Sequence, residues 1–172
     1  MISNNLKSKS SIFLYLLVIA FGYFYFQSSK SPEDKVKIFF KLLETETQLT
    51  ENRHPFEQLT RVQRLLHYVD DSVFFESPFY EISEREFSKS DLEKKFYTAD
   101  KMLASLETKI EINSIDIADE YIRVELIANA MGQIKNAEGK FFDRHRVSVI
   151  LLTSDNGDLV ISEVIHLENE RD

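Results

Sequence analysis

The stretch YIRVELIANAMGQI, residues 121–134, decides the fold. Its apolar side chains occur at every second position: Ile122, Val124, Leu126, Ala128 and Ala130. A two-residue period is typical of a β strand with one face on a core. Residues 110–118 are rich in β-branched side chains, and the apolar runs at 141–153 and 159–167 flank an Asn156-Gly157 turn signal. The second half of the chain is therefore predicted to form an antiparallel meander.

Before about Lys109 the apolar period is helical, and three helices are predicted. Ser31 followed by Pro32 is typical of a helix start, Pro55 opens a second helix, and a polar cap near Ser88 opens a third. The apolar stripe of the second helix runs to Val69. That of the third is predicted to comprise Leu92, Phe96, Ala99, Met102, Leu103 and Leu106. Residues 72–78 between these helices are predicted to be a short extended segment ended by Pro78.

Two segments carry a resemblance to a known fold. Residues 68–78 (YVDDSVFFESP) place an Asp pair before an aromatic strand and a proline, and residues 147–164 form a closing hairpin. Together with the order of elements, they resemble the NTF2-like, or SnoaL-like, superfamily over roughly residues 31–168. The sequence departs from the family pattern in lacking a Gly before the third helix, and Val160 stands where a Trp is often found.

The resemblance implies an α+β domain in which three N-terminal helices pack on a curved antiparallel sheet. In such folds the sheet and the helices enclose a cone. That cone can be a ligand pocket, an active site or simply a packed core, and fold alone does not decide among them.

Residues 12–26 (IFLYLLVIAFGYFYF) carry no charge and follow Lys7 and Lys9, the layout of a signal anchor. The prediction is one transmembrane helix within residues 1–30, followed by the domain at 31–172. The protein would be a single-pass membrane protein with its N-terminus inside and the domain on the exported side. Cleavage after Ala20-Phe21-Gly22 would instead release a soluble exported protein, and a buried core helix is a further alternative.

Composition excludes several classes of function. Asp and Glu number 29 against 21 Lys and Arg, and the basic residues are scattered, so no nucleic-acid partner is expected. The chain has no cysteine, which excludes disulfides and a thiolate nucleophile. Four glycines cannot build a phosphate-binding loop, and His54, His67 and His166 lack the spacing of a metal site. Neither a cofactor nor a metal is expected.

One constellation could carry chemistry. Asp143 and His145 share a strand face, and Asp71 or Tyr68 at the end of the second helix could complete a site of the ketosteroid-isomerase kind. The competing interpretation makes Asp143 and His145 a charged strand end in solvent. The Asp70-Asp71 pair could likewise be helix-terminal carboxylates that accept hydrogen bonds from turn amides.

The closing strands are apolar on both faces. The parity opposite to the core carries four residues that predict an interface: Ile150, Leu152, Val160 and Val164. A homodimer or a partner protein on this outer sheet face is expected, with coverage by the C-terminal tail or the membrane surface as the alternative.

Two hypotheses on function result. The first is a membrane-anchored, non-enzymatic binding or scaffold module that assembles through its sheet, similar in architecture to membrane-anchored NTF2-like subunits of bacterial secretion systems. The second is a small-molecule-binding protein or an isomerase- or hydrolase-type enzyme that uses the cone pocket. Convergence of Asp143, His145, Asp71 and Tyr68 on a cavity would favour the enzyme.

Overall fold

The computed structural model describes residues 30–50, 55–77 and 84–167. The chain divides into two compact units, residues 1–35 and 36–172. The predicted membrane segment at 12–26 lies outside the described residues. Among the residues that are described, no helix combines the length and the apolar character needed to cross a bilayer.

The described residues form three helices and six strands, an α+β fold as predicted. The helices are α1 (Pro32–Thr47), α2 (Pro55–Leu66) and α3 (Lys89–Met102). The strands are β1 (Val69–Glu76), β2 (Glu84–Ser88), β3 (Leu103–Ile117), β4 (Ile122–Ile134), β5 (Phe141–Thr153) and β6 (Leu159–His166).

All six strands belong to one curved sheet in the order β2-β1-β6-β5-β4-β3. The pairs β3–β4, β4–β5 and β5–β6 form the predicted meander, and Gly157 supplies the positive φ of 84° that the last turn requires. However, β1 pairs with β6 in parallel. The sheet is therefore mixed, and the prediction of a purely antiparallel sheet was wrong. The parallel pair joins strands that are far apart in the sequence, which periodicity within each strand cannot reveal.

Two predicted boundaries also differ from the structure. The third helix ends at Met102, so that Leu103 and Leu106 belong to β3 instead. Leu106 exchanges two backbone hydrogen bonds with Leu49, at 2.7 and 3.1 Å, in addition to its place beside β4. Those backbone partners favour the extended conformation over another helical turn. The second helix ends at Leu66, and Val69 begins β1 rather than closing the helical stripe.

The core lies where the first helix covers the middle of the sheet. Phe39 and Phe40 of α1 pack edge to face with ring centroids 5.2 Å apart, and Phe39 also meets Tyr68 at 5.4 Å. They belong to one buried cluster with strand residues that include Val124, Leu126, Val149, Leu151 and Ile161. Each such side chain contributes about 1.5–3 kcal/mol by leaving water.

A bulge in β6 decides which way its last residues face. Leu151 pairs with Ile161, whereas Ile150 pairs with Glu163 and Val149 with Val164, so Ser162 is an extra residue. Because one extra residue reverses the alternation, Ile161 and Val164 both point to the inner face. The predicted outward orientation of Val164 was therefore wrong.

Candidate functional site

An apolar cavity of about 600 Å³ lies between the helices and the β1–β6 half of the sheet. Most of its wall is hydrocarbon, contributed by residues that include Leu65, Val73, Phe75, Leu92, Phe96 and Val164. The helical stripe of α3 forms one side, and the inward-facing residues of β1 and β6 form another. The bulge at Ser162 is what places Val164 on this wall.

A buried ion pair forms part of the cavity wall. The Arg61 guanidinium contacts the Asp100 carboxylate, and their side chains are only 11% and 1% exposed. Arg61 Nε also donates to the carbonyl oxygen of Glu46 at 2.8 Å, and a terminal nitrogen donates to that of Thr47 at 3.2 Å. Arg61 therefore connects α2 to both α1 and α3. A buried charge of this kind is tolerated because it is paired and hydrogen-bonded.

The remaining charge on the described wall is Lys95. Its ammonium lies 4.9 Å from the centre of the Phe87 ring, and the Arg85 guanidinium lies 5.1 Å from the same ring. Lys95 is exposed, whereas Phe87 is buried. Because Lys95 lines the cavity and is also exposed to solvent, it lies at the mouth of the cavity.

A second polar cluster crosses three strand ends on the inner face, and we refer to it as the histidine chain. Ser77 Oγ lies 3.1 Å from His166 Nδ1, His166 Nε2 lies 3.1 Å from His145 Nδ1, and His145 Nε2 lies 2.7 Å from Asp143 Oδ2. Ser77 and His166 are buried, whereas the Asp143 carboxylate is half exposed. The chain therefore runs from the protein interior to solvent.

The contacts assign each proton in the histidine chain when both imidazoles are neutral. His145 donates a hydrogen bond from Nε2 to Asp143, so its Nδ1 accepts one from His166 Nε2. His166 Nδ1 then accepts a hydrogen bond from the Ser77 hydroxyl group. Burial lowers the pKa of His166, the charge on His145 lowers it further, and the Asp143 carboxylate raises it. The neutral form of His166 is thus favoured near pH 7.

The four predicted site residues do not converge on the cavity. Asp143 and His145 are in contact, as their parity predicted, but neither is among the described residues that line it. Asp71 is fully exposed on β1, 3.9 Å from Lys89, instead of ending a helix. Tyr68 packs on Phe39, and burial raises its pKa.

The four predicted interface residues also separate. Ile150 and Val160 are buried within the single chain, and Leu152 is half-buried. Val164 lines the cavity. Ile150 and Val160 do not belong to the buried cluster beneath α1, which agrees with the outward orientation predicted for them.

Sequence reasoning missed Arg61, Asp100, Ser77 and His166. Two of them had a signal: Arg61 lies four residues before Leu65 and Asp100 four residues after Phe96, so opposite charges stand in the apolar stripes of two helices.

Within residues 30–50, 55–77 and 84–167, no three His, Asp or Glu side chains are grouped so as to hold a metal ion.

Comparisons with known proteins place the fold. No protein-family model and no curated protein sequence matches this chain. Among solved structures, a protein from Kribbella flavida superposes with a TM-score of 0.64 at 9% identity, covering 81% of this chain and 92% of that one. An NTF2-like superfamily protein from Salmonella enterica gives 0.54 at 12% identity, covering 80% and 88%. A ketosteroid isomerase-like protein from Erwinia carotovora atroseptica gives 0.53 at 8%, covering 80% and 94%. At these identities the likeness shows the NTF2-like fold alone.

Proposed function

We propose that this NTF2-like domain is a non-enzymatic binding module whose cavity takes up an apolar small molecule. The observation that carries the proposal is the cavity of about 600 Å³ with its hydrocarbon wall. Small-molecule sites typically have volumes of roughly 300–1,000 Å³, with mostly apolar walls and a few polar groups. Arg61, Asp100 and Lys95 are those polar groups here.

The cavity is open at its mouth, so its apolar wall is accessible to water. Removing apolar surface from water is favourable by about 25 cal/mol for each Å². An apolar occupant would therefore be stabilised by covering the wall and by the dispersion contacts that it makes there.

Binding without catalysis agrees better with the wall than an isomerase or hydrolase does. Asp143 and His145 lie outside the described lining, and Ser77 is buried. Asp100 does line the cavity, but its carboxylate is paired with Arg61. A general base must reach the proton that it abstracts, and no described wall residue besides Asp100 is a carboxylate or an imidazole.

The absence of tryptophan from the chain provides a direct test of binding. Phe96→Trp places a single fluorophore on the cavity wall, and Phe142→Trp places one at a side chain that is 68% exposed. The full chain in lipid nanodiscs would be titrated with methyl 9,10-dibromostearate, whose bromines quench tryptophan at short range. We expect saturable quenching of the cavity fluorophore only. Equal quenching of both variants, or none, would contradict the proposal.

We further propose that residues 12–26 tether the domain to a membrane, with the domain on the exported side. Their uncharged, aromatic-rich sequence after Lys7 and Lys9 supports a signal anchor. The full chain should stay in the membrane pellet after alkaline carbonate extraction. Release into the supernatant, with loss of the first 22 residues by mass spectrometry, would instead indicate cleavage after Gly22.

Assembly through the outer sheet face stays a secondary proposal. Its remaining support is the half-buried Leu152 beside the buried Val160. Light scattering of the full chain in detergent, over a dilution series, would show a dimer that Leu152→Lys weakens. A strict monomer would remove this proposal without affecting ligand binding.

A further inference from the structure

We propose that the occupant of the cavity is a long-chain carboxylic acid, with its hydrocarbon chain inside and its carboxylate paired with Lys95 at the mouth. This inference rests on the proposed binding function and narrows it to a ligand class. It is carried by the distribution of charge on the described wall.

The charges of the wall do not balance. Three charged side chains line the cavity, and two of them, Arg61 and Asp100, neutralise each other. Lys95 forms no ion pair with a carboxylate of the described residues, although its neighbour Lys94 pairs with Asp91 at 3.8 Å. One positive charge therefore remains at the edge of a hydrocarbon surface.

A second cation strengthens the positive field at this point. Arg85 and Phe87 are two residues apart on β2 and so share one strand face. Arg85 and Lys95 both lie about 5 Å from the same Phe87 ring. Each cation is attracted by the π face of the ring, and both attract an anion at the mouth, although Arg85 also interacts electrostatically with Asp91.

This positive site stands out because the protein as a whole is acidic, with a formal net charge of −8. The net negative charge of the protein repels anions. A carboxylate would therefore bind favourably only where nearby cations make the local potential positive. A ligand with one anionic end and an apolar body matches the mouth and the wall together. A dianionic or polyhydroxylated ligand would leave polar groups against hydrocarbon.

The experiment uses the Phe96→Trp full chain in nanodiscs and compares 9,10-dibromostearic acid with its methyl ester. These probes share one hydrocarbon chain and differ in the charge of the head. We expect the acid to bind about fivefold more tightly, the effect of a partly exposed ion pair. Each methylene removed from the chain should weaken binding of either probe about fourfold.

Lys95→Met should abolish the preference for the acid, so that the acid and the ester bind with equal affinity. Lys94→Met is the matched control, because Lys94 is one residue away on α3 and does not line the cavity. That variant should keep the fivefold preference. Circular dichroism would verify that both exposed substitutions leave the fold intact.

The outcomes separate the ligand class from the binding function. Equal binding of acid and ester by the parent, or an equal effect of Lys94→Met and Lys95→Met, overturns the carboxylate assignment while the binding function stands. Failure of both probes to quench overturns the binding function itself. Quenching by dibrominated phosphatidylcholine in the disc, with none added by the acid, would identify a bilayer lipid as the occupant and reject the free acid.

Discussion

The two polar clusters of the domain are built on opposite principles. The Arg61–Asp100 pair buries two formal charges between helices, whereas the histidine chain links three strand ends through two imidazoles and places its carboxylate at the surface. A guanidinium stays protonated at any ordinary pH, but imidazoles titrate close to neutrality. This difference leads to two predictions. The stability that the Arg61–Asp100 pair contributes should depend on keeping both partners, and the stability that the histidine chain contributes should depend on pH.

The largest effect should come from breaking the buried pair. Asp100→Ala would leave the Arg61 guanidinium buried without its carboxylate and should lower the free energy of unfolding by about 3–5 kcal/mol. Urea denaturation measures this loss. The matched control is Arg64→Ala, which breaks an exposed pair with Glu46 at 2.7 Å and should cost about 1 kcal/mol or less. Similar losses in both variants would mean that burial does not distinguish the pairs.

Replacing a central link of the histidine chain should have an intermediate effect. His166→Phe keeps a ring of similar size but removes the hydrogen bonds to Ser77 and His145. We expect a loss of about 1–3 kcal/mol at pH 7.5, because the buried Ser77 and the partly buried His145 each lose a hydrogen bond. His67→Phe, at an exposed histidine, should change stability by about 0.5 kcal/mol or less. If the two variants lose the same stability, the histidine chain does not contribute to the free energy of unfolding.

The third prediction concerns pH. Burial and the charge on His145 hold the pKa of folded His166 below its unfolded value of about 6.5, so the unfolded state binds the proton more tightly. The stability from neutral His166 is thus fully present above about pH 6.5 and is lost as the pH falls toward the folded pKa. Urea midpoints at pH 7.5 and 5.5 should differ more for the parent than for His166→Phe. An unchanged difference would contradict this assignment.

The smallest effect should come from the solvent end of the chain. Asp143→Asn removes a half-exposed charge and should change stability by about 1 kcal/mol or less. Its clearer effect is on titration: the Asp143 carboxylate raises the pKa of His166, so its removal should lower that pKa further. Proton NMR of the imidazole Cε1–H signals against pH measures the shift. A rise in the pKa would reverse the proposed role of Asp143.

Sequence periodicity predicted the elements whose pattern is local. The alternation of residues 121–134 gave β4 correctly, and the proline and serine signals gave the start of each helix. Sequence periodicity failed where the conformation depends on hydrogen-bond partners that are distant in the sequence. Residues 103–109 fit either a helix or a strand, and the bonds of Leu106 to Leu49 and β4 decided the outcome.

The site shows the same division. Strand parity predicted the contact between Asp143 and His145, since both lie on β5. Unbroken alternation from Val160 would have turned Val164 and His166 outward, and the bulge at Ser162 turns both inward. A single extra residue therefore accounts for a missed part of the cavity wall and a missed link of the histidine chain.

The parallel pairing of β1 with β6 also sets the order in which the protein can be completed. Val69 of β1 must wait for Ile161, about 90 residues later, and such long-range pairing is slow to form. On the ribosome, β1 emerges well before its neighbour exists, with its hydrogen-bonding edge open. Because Ile161 and Val164 line the cavity, its wall is complete only after β6 has been synthesised. A nascent chain that stalls after β5 would expose that edge to chaperones and to aggregation.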